Sequence, residues 1–329
     1  MTANGRVSAR PAALETSTSQ FAQDVRYYLS LTPRQLPSRY LYDPLGSALF
    51  DAICHLPWYG LTRAESRLLA ERAAEIFYAL DPLARIVELG SGTGEKLAML
   101  LENGRDVLPS VQLHLIDVSA RALDAASRAL SAFDGVTIAT HQAPYEVGLE
   151  ELRHDVRAPG RTLAMFLGSN IGNFDPAGRD ALLCHIRGTL DHADAFLLGA
   201  DLVKPRAALL RAYDDPLQVT AAFNRNLLVR INRELGATFD LDAYRHQAIW
   251  NEDASRIEMH LVSTRRQTVS VPASGLEIEL QEGESIWTES SYKFRPDAVV
   301  AMLERNGFRL RSQWIDEAAQ FALTLVDVA

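Results

Sequence analysis

The feature that most constrains the fold is an alternation of strand-like and helix-like segments through the middle of the chain. An apolar run typical of a buried strand occurs at 85–90, and further strand-like segments follow at 111–118, 135–143, 161–170 and 194–203. Helical patterns lie between several of these runs, at 95–104, 120–133 and 178–190. Strands that alternate with helices predict a parallel, doubly wound sheet with helices on both faces.

The C-terminal segment changes this pattern. A helical pattern at 296–307 is followed by two strand-like segments, 308–316 and 320–328, with only three residues between them. So short a connection predicts an antiparallel hairpin. The predicted fold class is therefore α/β, a Rossmann-like sheet of the class I methyltransferase type that ends in an antiparallel hairpin. A dinucleotide dehydrogenase would instead continue with a second parallel half.

Two stretches fall outside the alternating pattern and predict a second domain. Residues 20–63 are helical and rich in tyrosine, and residues 205–293 begin with long helices and continue with strand-like alternation. We expect these stretches to form one inserted α+β substrate domain. The cofactor-binding methyltransferase domain would then comprise 64–204 and 294–329, and residues 1–19 are expected to be a disordered tail.

Composition disfavours several classes of function. The net charge of −9 argues against nucleic acid as a partner, because phosphate binding needs a basic field. No apolar run approaches the roughly 18 residues of a membrane span, and the first residues lack the apolar core of a secretory signal. Two isolated cysteines, Cys54 and Cys184, favour a cytoplasmic location. The scattered histidines have no metal-ligand spacing, so no metal site is expected.

The segment "IVELGSGTGEK" at 86–96 predicts the cofactor site. Gly90 and Gly92 fit a dinucleotide-binding turn, but the third glycine comes one residue too early. Glu88, ahead of the turn, would repel a pyrophosphate but suits the ammonium and sulfonium of S-adenosylmethionine. Asp117 ends the second strand, where a carboxylate can accept both ribose hydroxyls. These residues favour S-adenosylmethionine, and a nucleotide cofactor or a purely structural turn are the alternatives.

Two polar segments predict the substrate pocket. "FLGSNIGNF" ends the fourth strand and places Asn170 and Asn173 at the edge where open α/β sheets bind their ligands. Helix or loop capping is the alternative role for one of these asparagines. In "WTESSYKF", Glu289 and Ser291 are two residues apart, so both face the same side of an extended strand. Such a pair can clasp a heterocycle that carries both N–H and N, although solvation of both is the alternative.

Longer stretches resemble one enzyme family from about Asp24 to Val326. They are "LPSRYLYDPLGSALFDAI", "LPWYGLTRAE", "VELGSGTGEK", "FLGSNIGNF", "LLGADLVK", "RAYDDPLQVTAAFNRNLLVRINREL", "RIEMHL" and "TESSYKFRP". In these stretches the chain is similar to the histidine Nα-methyltransferases of ergothioneine biosynthesis. The resemblance implies a class I methyltransferase core with a substrate domain built from an N-terminal segment and an insert, in agreement with the strand pattern.

The resemblance also implies roles for individual residues. The predicted cofactor-binding residues are Glu88, Gly90, Ser91, Gly92, Lys96, Asp117 and Tyr145. The residues implied to hold the substrate or line its pocket are Tyr42, Phe50, Tyr59, Asn173, Tyr213, Met259, Glu289 and Ser291. Glu289 and Ser291 match the pair that grips the imidazole. Tyr42 and Asn173 are the candidate catalytic residues near the reacting nitrogen.

One segment departs from the family pattern. After the third strand the family has Gly-Asp-Phe, in which the aspartate binds the adenine amino group, whereas this chain has "QAPYE". Tyr145 can supply the aromatic ring, but Pro144 cannot supply the carboxylate. Gln142 and Glu146 are the candidate replacements, and loss of the contact is the third possibility.

The resemblance implies a reaction as well as a fold. The enzyme would transfer three methyl groups in succession from S-adenosylmethionine to the α-nitrogen of L-histidine, giving hercynine. The sulfonium is already activated, so the enzyme mainly has to align the reactants and present the amine unprotonated. Methylation of another amino acid or small amine, or cofactor binding without catalysis, are the alternatives. No obligate protein partner is expected.

Overall fold

The computed structural model describes residues 18–107, 110–153 and 159–329. The expected N-terminal tail lies outside these residues, except for Thr18 and Ser19, which already belong to the first helix. In this part of the chain, no helix is both long and apolar enough to cross a membrane.

The helices and strands alternate along the chain as follows. The α-helices are α1 (Thr18–Leu29), α2 (Pro44–Cys54), α3 (Leu61–Ala79), α4 (Glu95–Asn103), α5 (Ala120–Leu130), α6 (Tyr145–Arg153), α7 (Pro176–Thr189), α8 (Arg206–Tyr213), α9 (Val219–Leu235) and α10 (Pro296–Arg305). The strands are β1 (Arg34–Gln35), β2 (Leu83–Leu89), β3 (Val111–Asp117), β4 (Val136–Gln142), β5 (Arg161–Phe166), β6 (Ala195–Asp201), β7 (Tyr244–Asn251), β8 (Arg256–Ser263), β9 (Gln267–Val271), β10 (Leu276–Leu280), β11 (Ser285–Tyr292), β12 (Phe308–Asp316) and β13 (Phe321–Val328). Short 3₁₀ turns lie at Ser38–Leu41, Asn170–Asn173, Leu241–Ala243 and Pro272–Ser274.

The main sheet has seven strands, in the order β12-β13-β6-β5-β2-β3-β4. The strands from β6 to β4 run parallel, and β13 pairs antiparallel with both β6 and β12. Strand β6 is buried along its whole length because helices cover both faces of the sheet. The parallel sheet and the terminal hairpin predicted from the sequence are both confirmed, and together they form the class I methyltransferase arrangement.

A second sheet has the order β1-β11-β8-β7. Strands β11, β8 and β7 pair antiparallel, whereas β1 joins β11 in parallel, with Arg34 opposite Ile286. Strands β9 and β10 form a separate hairpin. All of these strands come from the two stretches that we predicted to form the substrate domain. The limits of that domain stay a prediction, and α3 continues without a break across the expected boundary at 63–64.

One buried carboxylate fixes the helices beside the second sheet. Asp43 caps α2 by accepting a hydrogen bond from the Gly46 N–H at 2.7 Å, and Pro44 suits the first helical position. The same carboxylate accepts hydrogen bonds from Asn226 at 2.7 Å and Arg233 at 2.8 Å, both on α9. Asp43 therefore both starts α2 and joins it to α9.

Candidate active site

The glycine turn after β2 adopts a backbone that favours glycine. Gly90, Gly92 and Gly94 have φ angles of 72°, 51° and 79°, all in the left-handed region. A methyl group on Gly90 would lie 3.0 Å from the Tyr145 hydroxyl, whereas a methyl group on Gly92 would meet nothing within 4 Å. The turn therefore offers an open stretch of backbone at Gly92 and is closely packed at Gly90.

Glu88 is the second-last residue of β2, just ahead of this turn, and is only 2% exposed. Among the residues that the structure describes, its Oε2 atom and the Ser91 hydroxyl have no hydrogen-bond partner. Burial raises the pKa of Glu88 to about 8, and this rise is opposed by Lys96 and reinforced by Glu65 and Asp117. A buried acid without a partner costs free energy, so this position fits a cationic ligand group such as an α-ammonium.

Asp117 lies at the carboxyl end of β3, the strand next to β2. Its two oxygens accept hydrogen bonds from the Gly92 N–H at 3.1 Å and the Ser119 N–H at 2.9 Å. Burial raises the pKa of Asp117, although these backbone donors act to lower it. The carboxylate is held beside the turn with lone pairs left for ligand hydroxyls. Glu88 and Asp117 thus fit the ammonium and the ribose of S-adenosylmethionine.

A cavity lies between the 168–173 loop, α2, α9 and the second sheet. Its lining includes every residue that we predicted to hold the substrate or line its pocket, namely Tyr42, Phe50, Tyr59, Asn173, Tyr213, Met259, Glu289 and Ser291. The rest of the lining comprises Gly168, Ser169 and Asn170 of the predicted pocket segment "FLGSNIGNF", together with residues for which we predicted no substrate role, namely Ile53, Leu61, Ala212, Thr220 and Phe223. The structure therefore brings residues from distant parts of the sequence to one place, and their individual roles stay predictions.

Aromatic rings form one wall of this cavity. Tyr42 packs edge-on against Phe50 and Phe223, each with ring centroids 5.5 Å apart, and Tyr59 packs against Tyr213 at 6.0 Å. Burial raises the pKa of Tyr42 and of Tyr59 well above the ordinary value of a tyrosine. Both side chains are therefore neutral phenols at physiological pH. Such a wall can surround a methylated ammonium with aromatic faces while offering hydroxyl groups.

A second wall of the cavity is polar. Glu289 and Ser291 both lie on β11 after a bulge between Trp287 and Glu289, and both line the cavity. Burial raises the pKa of Glu289 to about 7, and Lys293 acts against this rise. The Ser291 hydroxyl lies 2.8 Å from the Tyr213 hydroxyl. The predicted carboxylate and hydroxyl are therefore available on one face of the strand.

Residues 21–328 match the model of the protein family described as "Histidine-specific methyltransferase, SAM-dependent". The chain belongs to this family. It is therefore an S-adenosylmethionine-dependent methyltransferase, which confirms both the family resemblance and the cofactor predicted from the sequence.

Curated relatives support this assignment. The chain is 45% identical to the "Histidine N-alpha-methyltransferase" of Mycolicibacterium smegmatis over 95% of its own length and 96% of that protein. Identity to the protein of the same name from Mycobacterium tuberculosis is also 45%, over 92% of this chain and 93% of that protein. The "Ergothioneine biosynthesis protein 1" of Schizosaccharomyces pombe is 26% identical over 90% of this chain but only 39% of its own length.

Sequence reasoning missed a buried acid next to the cofactor turn of this methyltransferase. Glu65 on α3 is fully buried and lies 2.6 Å from the Nζ atom of Lys96, a predicted cofactor-binding residue. The Gly168 N–H donates to both Glu65 oxygens, at 2.8 and 2.9 Å. Glu65 raises the pKa of Lys96 against the lowering effect of burial. Glu65 lies in the family-like stretch "LPWYGLTRAE", but an acid on a helix gives no local sign of burial.

A second missed group is a buried lysine on the substrate side. Lys293 follows β11 and is only 3% exposed. It forms an ion pair with Asp201 at 2.9 Å and donates hydrogen bonds to Tyr213 and Ser291. Its pKa lies above the ordinary lysine value because Asp201 and Tyr213 outweigh the lowering effect of burial. Lys293 is therefore an ammonium in direct contact with two predicted substrate-binding residues.

The departure from the family at Pro144 is visible in the structure. Tyr145 begins α6, and its ring packs edge-on against Phe166 with centroids 5.3 Å apart. Pro144 and Glu146 are exposed, and the Gln142 amide donates to the Val118 carbonyl at 3.4 Å. An aromatic ring is thus present where the family has one. Whether Gln142 or Glu146 replaces the missing carboxylate, or the contact is lost, stays a prediction.

Proposed function

We propose that this protein transfers three methyl groups in succession from S-adenosylmethionine to the α-amino nitrogen of L-histidine, giving hercynine for ergothioneine biosynthesis. The observation that carries the proposal is the placement of Glu289 and Ser291 on one face of β11 inside a cavity with an aromatic wall. The names of the two relatives at 45% identity support it.

The polar wall accounts for selection of the imidazole ring. An ionised Glu289 accepts the ring N–H, and the Ser291 hydroxyl pairs with the other ring nitrogen. With an apolar side chain bound instead, Glu289 would be left as a buried carboxylate without a partner. Sites built to hydrogen-bond their substrate reject analogues that lack the group by factors of roughly 10⁴.

The aromatic wall accounts for the reacting amine. S-adenosylmethionine supplies an activated methyl group, so no metal ion or covalent nucleophile is needed. Tyr42 remains a neutral phenol because burial raises its pKa, and it therefore acts as a hydrogen-bond partner of the amine rather than as a phenolate base. The Asn173 side-chain oxygen is a second acceptor on the same cavity. Together these acceptors orient an unprotonated amine, whose pKa is about 8 when free.

Successive methylation needs a pocket that still accepts the amine after each transfer. Aromatic faces attract methylammonium groups without requiring an N–H donor. The rings of Tyr42, Phe50 and Phe223 lie within 5.9 Å of one another and can fill this role. The proposal therefore includes the trimethylated product.

The proposed location is the cytoplasm, and no obligate protein partner is proposed. Cys54 and Cys184 are both free thiols, as is usual in a reducing compartment. Fractionation of cells that produce the protein, with a cytoplasmic and a periplasmic marker enzyme, tests the location. Recovery with the periplasmic marker would contradict it.

The test of the reaction is incubation of the purified protein with methyl-labelled cofactor and L-histidine, followed by mass spectrometry. Labelled mono-, di- and trimethylhistidine should appear in sequence. Parallel incubations with other amino acids and small amines provide the competing outcomes. Labelling of another amine in preference to histidine, or no labelling of any amine, would refute the proposal. Glu289→Gln should lose histidine turnover, and Glu277→Gln, an exposed residue of β10, is the matched control.

A further inference from the structure

A buried ion pair joins the main sheet to the strand that carries the predicted imidazole-binding residues. Asp201 ends β6, and Lys293 directly follows β11. The Oδ2 atom of Asp201 lies 2.9 Å from the Nζ atom of Lys293, and its Oδ1 atom lies 2.6 Å from the Nζ atom of Lys204. Asp201 therefore has a second cationic partner and does not depend on Lys293 for charge compensation.

The other two N–H groups of Lys293 point to the substrate side. Its Nζ atom lies 2.8 Å from the Tyr213 hydroxyl and 2.8 Å from the Ser291 hydroxyl. An ammonium has three donors and no acceptor, so Asp201, Tyr213 and Ser291 use its full hydrogen-bonding capacity. Both hydroxyl oxygens consequently act as acceptors toward Lys293.

A count of protons shows what this network presents to the cavity. Lys293 contributes three N–H protons, and Tyr213 and Ser291 contribute one O–H proton each. The three Lys293 protons form hydrogen bonds to Asp201, Tyr213 and Ser291. A fourth proton forms the hydrogen bond between the two hydroxyl oxygens, which are 2.8 Å apart. One hydroxyl proton remains, and both hydroxyl groups belong to residues that line the cavity. The network therefore offers the substrate one donor.

We propose that Lys293, held by Asp201, is a positioning residue that makes the Ser291 hydroxyl the donor to the bare ring nitrogen of the substrate. Ser291 shares a strand face with Glu289, the acceptor for the ring N–H. When Ser291 donates to the ring, its oxygen accepts from both Lys293 and Tyr213, so every proton of the network has a partner. The pocket then selects one tautomer of the imidazole. This inference rests on the proposed histidine methylation.

The test compares L-histidine with the two pyrrolylalanine isomers, which keep one ring N–H and replace the other nitrogen by C–H. The measured quantity is the ratio of kcat/KM for histidine to that for the better isomer. In Lys293→Met this ratio should fall roughly tenfold, the equivalent of one lost hydrogen bond. In a Ser291→Ala background, Lys293→Met should leave the ratio unchanged. The fall should come mainly through KM for histidine.

Lys204→Met is the matched control, because Lys204 also pairs with Asp201 but does not contact the two hydroxyls. It should leave the ratio unchanged. Tyr213→Phe provides a second variant that removes only a hydroxyl group, and the ratio should be retained because Ser291 then has no competing acceptor. The inference would be overturned if Lys293→Met lowered kcat/KM equally for histidine and pyrrolylalanine. A fall of the ratio in Tyr213→Phe would also overturn it. Wild-type protein that does not methylate histidine would instead overturn the proposed function.

Discussion

Replacement of Glu88 by glutamine should make the cofactor-free protein more stable at alkaline pH. Glu88 is buried, and its Oε2 atom has no partner among the described residues. Burial raises its pKa from 4.5 to about 8. Because the pKa in the folded state is higher than in the unfolded state, the carboxyl stabilises the fold fully below pH 4.5. That contribution is lost as the pH rises through about 8.

The size of the effect follows from the same shift. A rise in pKa from 4.5 to about 8 corresponds to up to about 5 kcal/mol between the two protonation states. This is a large fraction of the roughly 5–15 kcal/mol that stabilises a typical protein. Glutamine has nearly the same shape but no charge, so Glu88→Gln and wild type should have equal stability near pH 4.5. Above pH 8 the variant should be more stable by a few kcal/mol.

The assay is denaturant unfolding of both proteins, without cofactor, at several values from about pH 5 to about pH 9. The quantity to compare is the difference in free energy of unfolding between Glu88→Gln and wild type at each pH. Glu289 makes the stability of both proteins depend on pH, and this contribution cancels in the difference. Glu102→Gln, an exposed residue of α4, is the control and should follow wild type. Cofactor affinity should fall at least roughly tenfold in Glu88→Gln, because the ligand ammonium loses its charged partner. Parallel stability curves for Glu88→Gln and wild type would refute this reasoning.

Three further perturbations test other parts of the site. Gly90→Ala should weaken cofactor binding measured by calorimetry, because the residue has φ +72° and the added methyl group would lie 3.0 Å from the Tyr145 hydroxyl. Glu65→Gln should lower the free energy of unfolding by roughly 3 kcal/mol, measured with denaturant, because Lys96 loses its anionic partner. In wild type, KM for histidine should fall as the pH rises through about 7, since the ionised Glu289 carboxylate accepts the ring N–H more strongly than the protonated carboxyl group does. Steady-state kinetics at several pH values should show this fall in KM in wild type and, unchanged, in the control Glu277→Gln.

The central sheet could be predicted because its signal is local. Most of its parallel strands are short apolar runs that end at a turn, so the sequence predicts β2 at 85–90 and the strand occurs at Leu83–Leu89. Strand β1 shows the opposite case, because only Arg34 and Gln35 form it and their partners are Ile286 and Trp287. Two residues carry no periodicity, and the pairing depends on the folded arrangement of segments far apart in the sequence.

The substrate pocket shows the same contrast between features with a local sequence signal and features that depend on the folded arrangement. The predicted pocket residues came from resemblance to a family, and the structure gathers them around one cavity. Phe223 was missed because an aromatic residue in a long amphipathic helix is equally suited to an ordinary core. Lys293 was missed because the sequence near it looks like a solvated strand end, whereas its burial depends on Asp201, almost a hundred residues earlier. A charged residue gives no local sign of the partner that allows it to be buried.

Four of the buried acids differ in how their charge is compensated, and the difference separates framework from ligand site. Glu65 and Asp201 each lie against a lysine, at 2.6 and 2.9 Å, so their charges are compensated within the protein. Within the described part of the chain Glu88 and Glu289 form no such ion pair, and burial raises their pKa values to about 8 and about 7. An acid that the protein buries without a cation is costly until a ligand supplies a positive charge or an N–H donor. Glu88 and Glu289 therefore lie where the cofactor's ammonium and the substrate's ring are expected to bind, whereas Glu65 and Asp201 join elements of the framework.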